Sequence, residues 1–493
     1  MPEYLRTLIV ILILAGGVLH LAGRNAMLVS AQQELLTQRK RVWLFLTIAA
    51  FLSHSFWVYA AIVSGTLFII RSKAQNPAAL FYFLLFLLPA ASIQIPGLGL
   101  INYFFELNHI RLLSLLLLLP AWLKLRRRSS VPNFGKLGPD RLLLMYLFLL
   151  SALIFARSPT MTAALRSVFG LFVDVFLPYF VFSRAVRDMR GFKDVISSYV
   201  IAASIIGVVG MFELARHWLL YAPVVSVLKL DWGYSGYLGR EGMLRASASA
   251  GQPIALGFAM VVAMGFFYFL INGKTRGNRA IGALLAGGVI APLSRGPWVG
   301  LVAMALAVVG TGRQALSNLI KLFFAAALIL GMLSVLPGGQ RIVAFLPFVG
   351  TVETGGIDYR QRLFDNSLIV IGRNPLFGST NFLETPEMQE MMQGQGIIDV
   401  TNTYLAIALN YGLAGLGLFA GFFLWIIFSI YRCLKKHKEN GEMQVLGQVL
   451  LGGLVAILTT LATVSSITVI PTIYWSVAGL AVAYVQLSRN PPS

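Results

Sequence analysis

Three short stretches hold the residue types that phosphate binding requires. The first, L-R-A-S-A-S-A-G-Q-P from Leu244 to Pro253, contains Arg245. The second is Ser294-Arg295-Gly296-Pro297-Trp298 and the third is Asp358-Tyr359-Arg360-Gln361-Arg362. Arginine presents a planar fork of donors that matches two phosphate oxygens, and it stays charged in apolar surroundings. Several such groups at one depth suit a diphosphate. For any one of them, snorkelling or pairing with Glu241, Asp358 or Asp365 is the plainer account. Arg245 and Arg295 taken together favour the anion site. In the second stretch Pro297 suits the first position of a helix, and Gly296 permits an unusual backbone angle. The helix N-terminus then adds unpaired amides and a positive dipole end beside Arg295.

A fourth stretch, Asp399-Val400-Thr401-Asn402-Thr403-Tyr404, supplies acid–base groups. Asp399 is a candidate general base for a sugar hydroxyl, with Asn402 and Tyr404 orienting the acceptor. Thr401 or Asn402 is equally a good N-cap for the helix that follows, and the two readings are compatible. Trp232, Tyr234, Tyr237, Trp298 and Tyr359 are candidate sugar or substrate contacts, although interfacial anchoring explains many such aromatics. Cys433 is the single cysteine, and the five histidines are scattered. An intramolecular disulfide is excluded, and no metal or other cofactor is expected.

The chain that must position these residues has 493 of them, 57% apolar and 12% charged. Its mean hydropathy is +0.78. Soluble domains carry roughly 25% charged residues, so a soluble enzyme, a secreted disulfide scaffold and a disordered chain are excluded. Apolar stretches fall near 7–22, 42–70, 78–92, 109–123, 141–157, 164–183, 194–216, 252–271, 279–293, 297–310, 315–336, 404–431, 444–465 and 471–487. Many approach the ~20 residues that cross a bilayer, and they do not alternate in polarity as barrel strands do. The expected fold is an all-α, polytopic transmembrane bundle of about 12–14 spans, forming one integral membrane domain over 1–493. The apolar run after Arg6 is expected to be a retained anchor rather than a cleaved signal.

Lys124–Arg141, Arg184–Lys193, Lys274–Arg279 and Arg432–Lys438 hold six, four, three and four Lys or Arg, whereas Ser92–Asn108 holds none. The positive-inside rule places the basic set, and with it the C-terminus, in the cytoplasm. Much of the formal charge of +20 is therefore topology, and nucleic acid is not an expected partner. Segment 42–70 breaks the alternation. If it crossed once, Arg24, Arg39, Lys40 and Arg41 would lie outside, and Ser53-His54-Ser55 in its middle suggests a broken helix. Two long connections fall on the outer face, 217–250 and 337–403, the second with a net charge near −3. Loops of this length are functional or disordered, and short interfacial helices are expected in the second. Within the spans stand Arg166, Asp174, Glu213 and His54, where charge is costly. Arg166 and Asp174, eight residues apart, share a helix face, either paired through a third group or locking helices together.

Four motifs, in order, resemble the O-antigen ligase and O-antigen polymerase superfamily. S-R-G-P-W is similar to its S-R-G turn, and L-R-A-S-A-S-A-G-Q-P-I-A-L-G to its R-x-x-G-x-F-x-x-P stretch. D-Y-R-Q-R-L-F-D-N-S-L-I-V-I-G-R-N-P-L-F-G is similar to its Y-R-x-x-L…P-L-x-G segment. T-N-T-Y-L-A-I-A-L-N-Y-G-L-A-G-L is similar to the H-N-x-Y-L…G-L-x-G-L helix that closes its large periplasmic loop. The likeness covers 240–430 as a core region, with 337–403 as a lid and acceptor region. It implies a bacterial inner-membrane glycosyltransferase with its active face in the periplasm. The implied donor is an undecaprenyl-diphosphate-linked oligosaccharide and the acceptor a polysaccharide or lipid A core; a chain-length regulator or export complex is a further expected partner. Arg245, Arg295 and Arg360 fall on the family's arginines, which are thought to hold the diphosphate. Arg362 is an additional substrate contact on this reading. Thr401 stands where ligases carry a His, which favours a polymerase of the exopolysaccharide or O-antigen kind over a lipid A ligase. A transporter or flippase is the rival class. The absence of an internal repeat, and charge gathered at one face rather than at mid-membrane, count against it.

Overall fold

The structure is a computed structural model that describes the chain except residues 25–32, 72–75, 100–101, 232–237, 241, 272–278, 313, 336–354, 394–395, 437–440 and 490–493. It is an all-α bundle; the two small antiparallel hairpins described are Ser92–Pro96 with Tyr103–Asn108, and Gly239–Arg240 with Met243–Leu244. Eight described helices are long and apolar enough to cross a membrane, from Glu3–Gly23 to Ile470–Arg489. Shorter apolar helices, among them Phe56–Arg71, Arg279–Ile290 and Arg295–Gly310, complete the bundle. Ile470–Arg489 and Met189–Arg216 are enclosed by the other helices, whereas Gly138–Arg157 leaves most of its surface outward. Arg295–Gly310 lies closely against Gly441–Leu461. A Cβ on Gly300 would run into the Thr460 hydroxyl, and one on Gly452 would meet Met304 and Val308. Small residues on both faces let two backbones approach, a common device where lipid offers no hydrophobic drive between helices.

The first 71 residues resolve the break in charge alternation. Segment 42–70 belongs to two helices, Gln33–Leu52 and Phe56–Arg71, separated at His54, whose φ is +52°. Arg39 donates to both Asp194 carboxylate oxygens, at 2.6 and 3.0 Å, and to Ser198 Oγ at 2.9 Å. Asp194 follows the basic connection 184–193, so Arg39 lies at the basic end of the bundle. Glu3 marks the opposite end: its carboxylate accepts from Trp218 Nε1 at 3.1 Å, and Tyr4 packs edge-on against His54. A double pass in place of a single one therefore keeps the early arginines with the other basic segments. The basic end also holds a buried lock. Arg184 donates to Asp140 at 2.6 Å, both side chains being fully enclosed, and Tyr179 donates to the same carboxylate at 2.8 Å.

Arg166 and Asp174 take different partners. The helix loosens into a π-segment, Phe172–Phe176, that contains Asp174 and changes the register that a regular helix would impose. Asp174 accepts from Arg111 Nη2 at 2.8 Å and Nε at 3.1 Å. Arg166 donates to the Tyr103 and Phe104 carbonyls at 2.6 and 3.0 Å and stacks over the Tyr103 ring. Both groups lock helices to the Tyr103–Asn108 strand and its neighbour, and among the described residues no third group joins them.

Of the long late connection, 355–393 and 396–402 are described. Gly355–Arg373 and Pro386–Gln389 form helices over a small core of their own, with Leu363, Val370, Phe382, Met388 and Met391 packed on Leu405 and Leu409. The turn Asn374–Gly378 is then driven into the Thr403–Lys436 helix. That helix breaks at Gly412, where φ is +69° and ψ −173°, a region open essentially to glycine alone. The groups released by the break are taken up by the turn: Leu413 N donates to Pro375 O at 2.7 Å and Ser379 N to Leu409 O at 2.8 Å. Gly378 is also left-handed, at φ +71°. A Cβ on either glycine would strike the backbone of the other segment. Arg157, across from both, donates to the carbonyls of Asn410, Gly378 and Phe377 at 2.9, 3.0 and 3.1 Å.

Two stability effects follow. Gly412→Ala loses about 1–3 kcal/mol from backbone strain alone, read as a lower melting temperature of the full-length protein in detergent. Arg157→Ala strips the donor from three carbonyls and costs about 1–3 kcal/mol. Arg157→Lys, which keeps the charge but not the fork, falls between wild type and Arg157→Ala in the same melt.

Candidate functional site

The Ser294–Arg295 turn is built at the end of the bundle opposite the basic segments. Arg279–Ile290 ends there, the chain reverses through Leu293 at φ +49°, and Arg295–Gly310 begins. Leu293, not Gly296, adopts the unusual angle. Gly296 is already helical, and its lack of a side chain admits the Thr463 hydroxyl instead. Pro297 lies within the first helical turn rather than at its first residue. The missing proline N–H costs nothing there, because the first-turn amides have no partner inside the helix.

The two arginine stretches meet at this turn. Arg245 Nη2 donates to Ser294 Oγ at 2.9 Å and its Nε to Pro292 O at 3.3 Å. Arg240, which the sequence motifs did not single out, donates to Leu293 O at 2.6 Å. Trp298, half-buried, donates its indole N–H to Val289 O at 2.9 Å, so it staples the reversal. The buried carboxylate of Glu213 fixes the chain beyond Arg245. It accepts from the amides of Ser247 and Ala248 at 3.0 and 2.8 Å and from Leu220 N at 3.0 Å. An in-span glutamate, costly where it stands, thus organises the backbone behind the arginines.

Asp399 and Thr403 meet the connection 462–469, between Gly441–Leu461 and Ile470–Arg489. Asp399 Oδ1 accepts from Ser465 Oγ at 2.7 Å, and Thr403 Oγ1 donates to Val464 O at 2.7 Å. Since Thr463 lies against Gly296, this connection joins the Asp399 segment to the arginine turn. Asp399 is exposed, and its Oδ2 accepts no hydrogen bond among the described residues. Asn402 is the N-cap: its Oδ1 accepts from Tyr404 N and Leu405 N at 2.9 and 3.2 Å. Tyr404 donates its hydroxyl to Leu458 O at 2.7 Å. Asn402 and Tyr404 therefore position the start of the helix. The Thr401 hydroxyl is buried and finds no partner among the described residues.

Tyr359 ties the Gly355–Arg373 helix to this assembly by donating to Asp399 O at 2.9 Å. Arg360 and Arg362 follow it and are exposed. Two residues apart on a helix they point in nearly opposite directions. Trp232, Tyr234, Tyr237 and Glu241 lie outside the described residues.

The sequence reading missed Ser465 and Thr463. Their signal is the Ser/Thr run from Thr459 to Thr468, of which the hydropathy pattern assigned 444–465 to a span. Such residues return their hydroxyls to the preceding turn, as Thr460 does to Ala456 O at 2.7 Å, and so pass as neutral within an apolar helix.

Residues 280–420 match a protein-family model described as O-antigen ligase. The matched stretch takes in the Arg295 turn, Arg360, Asp399 and the Gly378–Gly412 junction. It supports an enzyme of the O-antigen ligase or polymerase type, working on a lipid-linked glycan in a membrane. No curated protein matches the chain.

Proposed function

Taking the O-antigen ligase and polymerase superfamily as the premise, we propose that the chain is a glycosyltransferase that joins lipid-diphosphate-linked glycan units at the arginine turn. The observation that carries this reading is the meeting of Arg245 with the Ser294–Arg295 turn across 49 residues of sequence. Arg245 and Arg295, with Arg360 from the outer helix, hold the diphosphate of an undecaprenyl-linked oligosaccharide. As the anomeric carbon–oxygen bond breaks, the electron pair stays on the diphosphate, and the guanidinium groups stabilise that charge. The acceptor hydroxyl bonds to the anomeric carbon and gives its proton to the open carboxylate oxygen of Asp399. Ser465 donates to that carboxylate and Tyr359 to the backbone carbonyl of the same residue, while Asn402 and Tyr404 hold the helix beneath it. The segment 355–402 covers the site as a lid, limiting hydrolysis.

Thr401, at the position of the ligases' histidine, favours polymerisation of repeat units over transfer to lipid A core. The proposed setting is the bacterial inner membrane with the arginine turn in the periplasm. A deletion strain separates the alternatives. A polymerase mutant accumulates single repeat units on the lipid carrier and makes no long polymer, the expected result. A ligase mutant makes polymer that never reaches lipid A, and a flippase mutant traps the unit on the cytoplasmic side; either outcome contradicts the proposal.

A further inference from the structure

Connection 462–469 has a second side. Away from Asp399, Ser466 and Thr468 line a cavity of about 460 Å³ together with Asn108, Arg111, Asp174 and Asp231. Gly251, just downstream of Arg245, closes part of its wall. The volume lies in the range of small-ligand sites, and the wall mixes donors and acceptors. Asp174 reaches it from the π-segment Phe172–Phe176, a distortion common at functional sites. Its ion pair with Arg111 leaves both side chains about one-quarter exposed, at 29% and 26%. The same pair lines a second cavity of about 370 Å³ on the side of Arg166.

Thr468 supplies an independent sign. It holds φ at +50° without being glycine, and its buried hydroxyl has no hydrogen-bond partner among the described residues. Strain together with an unsatisfied buried hydroxyl calls for a compensating partner. Among the described residues, the titratable side chains of the wall are one guanidinium and two carboxylates. That balance disfavours a diphosphate, whereas carboxylates and hydroxyls suit the many hydroxyl donors of a neutral sugar. We propose that this cavity is a subsite for a neutral sugar of the acceptor glycan, separate from the arginine turn and joined to Asp399 through 462–469. The assignment of the sugar to the acceptor rests on the transfer reading above.

The test uses the full-length protein in lipid nanodiscs, with methyl glucoside, methyl galactoside, N-acetylglucosamine and glucuronate as probes in saturation-transfer NMR. Neutral sugars are expected to bind saturably, and more tightly than glucuronate. Thr468→Val, which removes a hydroxyl, and Asp231→Ala, which removes a carboxylate, should each weaken them about tenfold. In a transfer assay the same variants should raise the acceptor KM by that factor with kcat kept. Absence of saturable binding, equal affinity in wild type and both variants, or tightest binding of glucuronate overturns the subsite. Neutral-sugar binding that responds to the variants in a protein inactive in transfer would uphold the sugar cavity and strike the transfer reading instead.

Discussion

Asp399→Asn is expected to lower kcat for glycan transfer by roughly 100- to 10,000-fold, the usual contribution of a positioned proton acceptor. The substitution is nearly isosteric. An amide oxygen still accepts from Ser465, and the backbone carbonyl still accepts from Tyr359. Melting temperature and lipid-linked donor binding are therefore expected to stay at the wild-type level while turnover falls. The loss would be confined to the one property that asparagine lacks, the ability to take a proton. Unchanged kcat would move the base elsewhere and leave Asp399 as an anchor for 462–469. A parallel fall in stability and turnover would say the same.

Arg295→Lys is expected to reduce kcat/KM by about 100- to 1,000-fold, the scale measured when one pre-set donor is removed from a developing oxyanion. Lysine keeps the charge and loses the fork that matches two phosphate oxygens at once. Arg295 is the first residue of its helix, so the dipole end and unpaired amides act at the same place as its guanidinium. Lysine leaves those contributions intact, so a large loss isolates the geometry of the guanidinium. The variant should fold, because the turn is held by Arg240, Arg245 and Trp298. Near-normal polymer length with Arg295→Lys would remove the bidentate diphosphate contact.

The bundle itself was legible, because long apolar runs flanked by basic loops admit few other structures. The arginine turn was legible for a related reason: positive charge away from the basic end is not explained by topology, and the Arg245 side chain does reach the turn that carries Arg295. Tertiary effects hid the rest. Segment 42–70 reads as one awkward run, since a break at His54 costs little hydropathy, and only Arg39 meeting Asp194 shows that the chain turns back. Arg166 and Asp174 share a face in a regular helix, but the π-segment at Phe172–Phe176 gives them separate partners. The turn 374–378 reads as ordinary punctuation; that Gly378 and Gly412 interlock across two segments is a fact of packing. Connection 462–469 was hidden by its hydroxyl residues, of which Thr463, like Thr460 before it, bonds back into the preceding turn, and the contacts by which Asn402 and Tyr404 hold the start of their helix are again a matter of packing.

Glycan transfer at the arginine turn is tested by following product length and carrier release together. Purified full-length protein in nanodiscs receives an undecaprenyl-diphosphate-linked repeat unit with no other glycan present. The expected result is a ladder of longer lipid-linked glycans, with one undecaprenyl diphosphate released for each bond formed, and loss of both signals in Arg295→Lys. A ladder of undiminished length and rate in Arg295→Lys, or donor that crosses the bilayer without any release of undecaprenyl diphosphate, would contradict it.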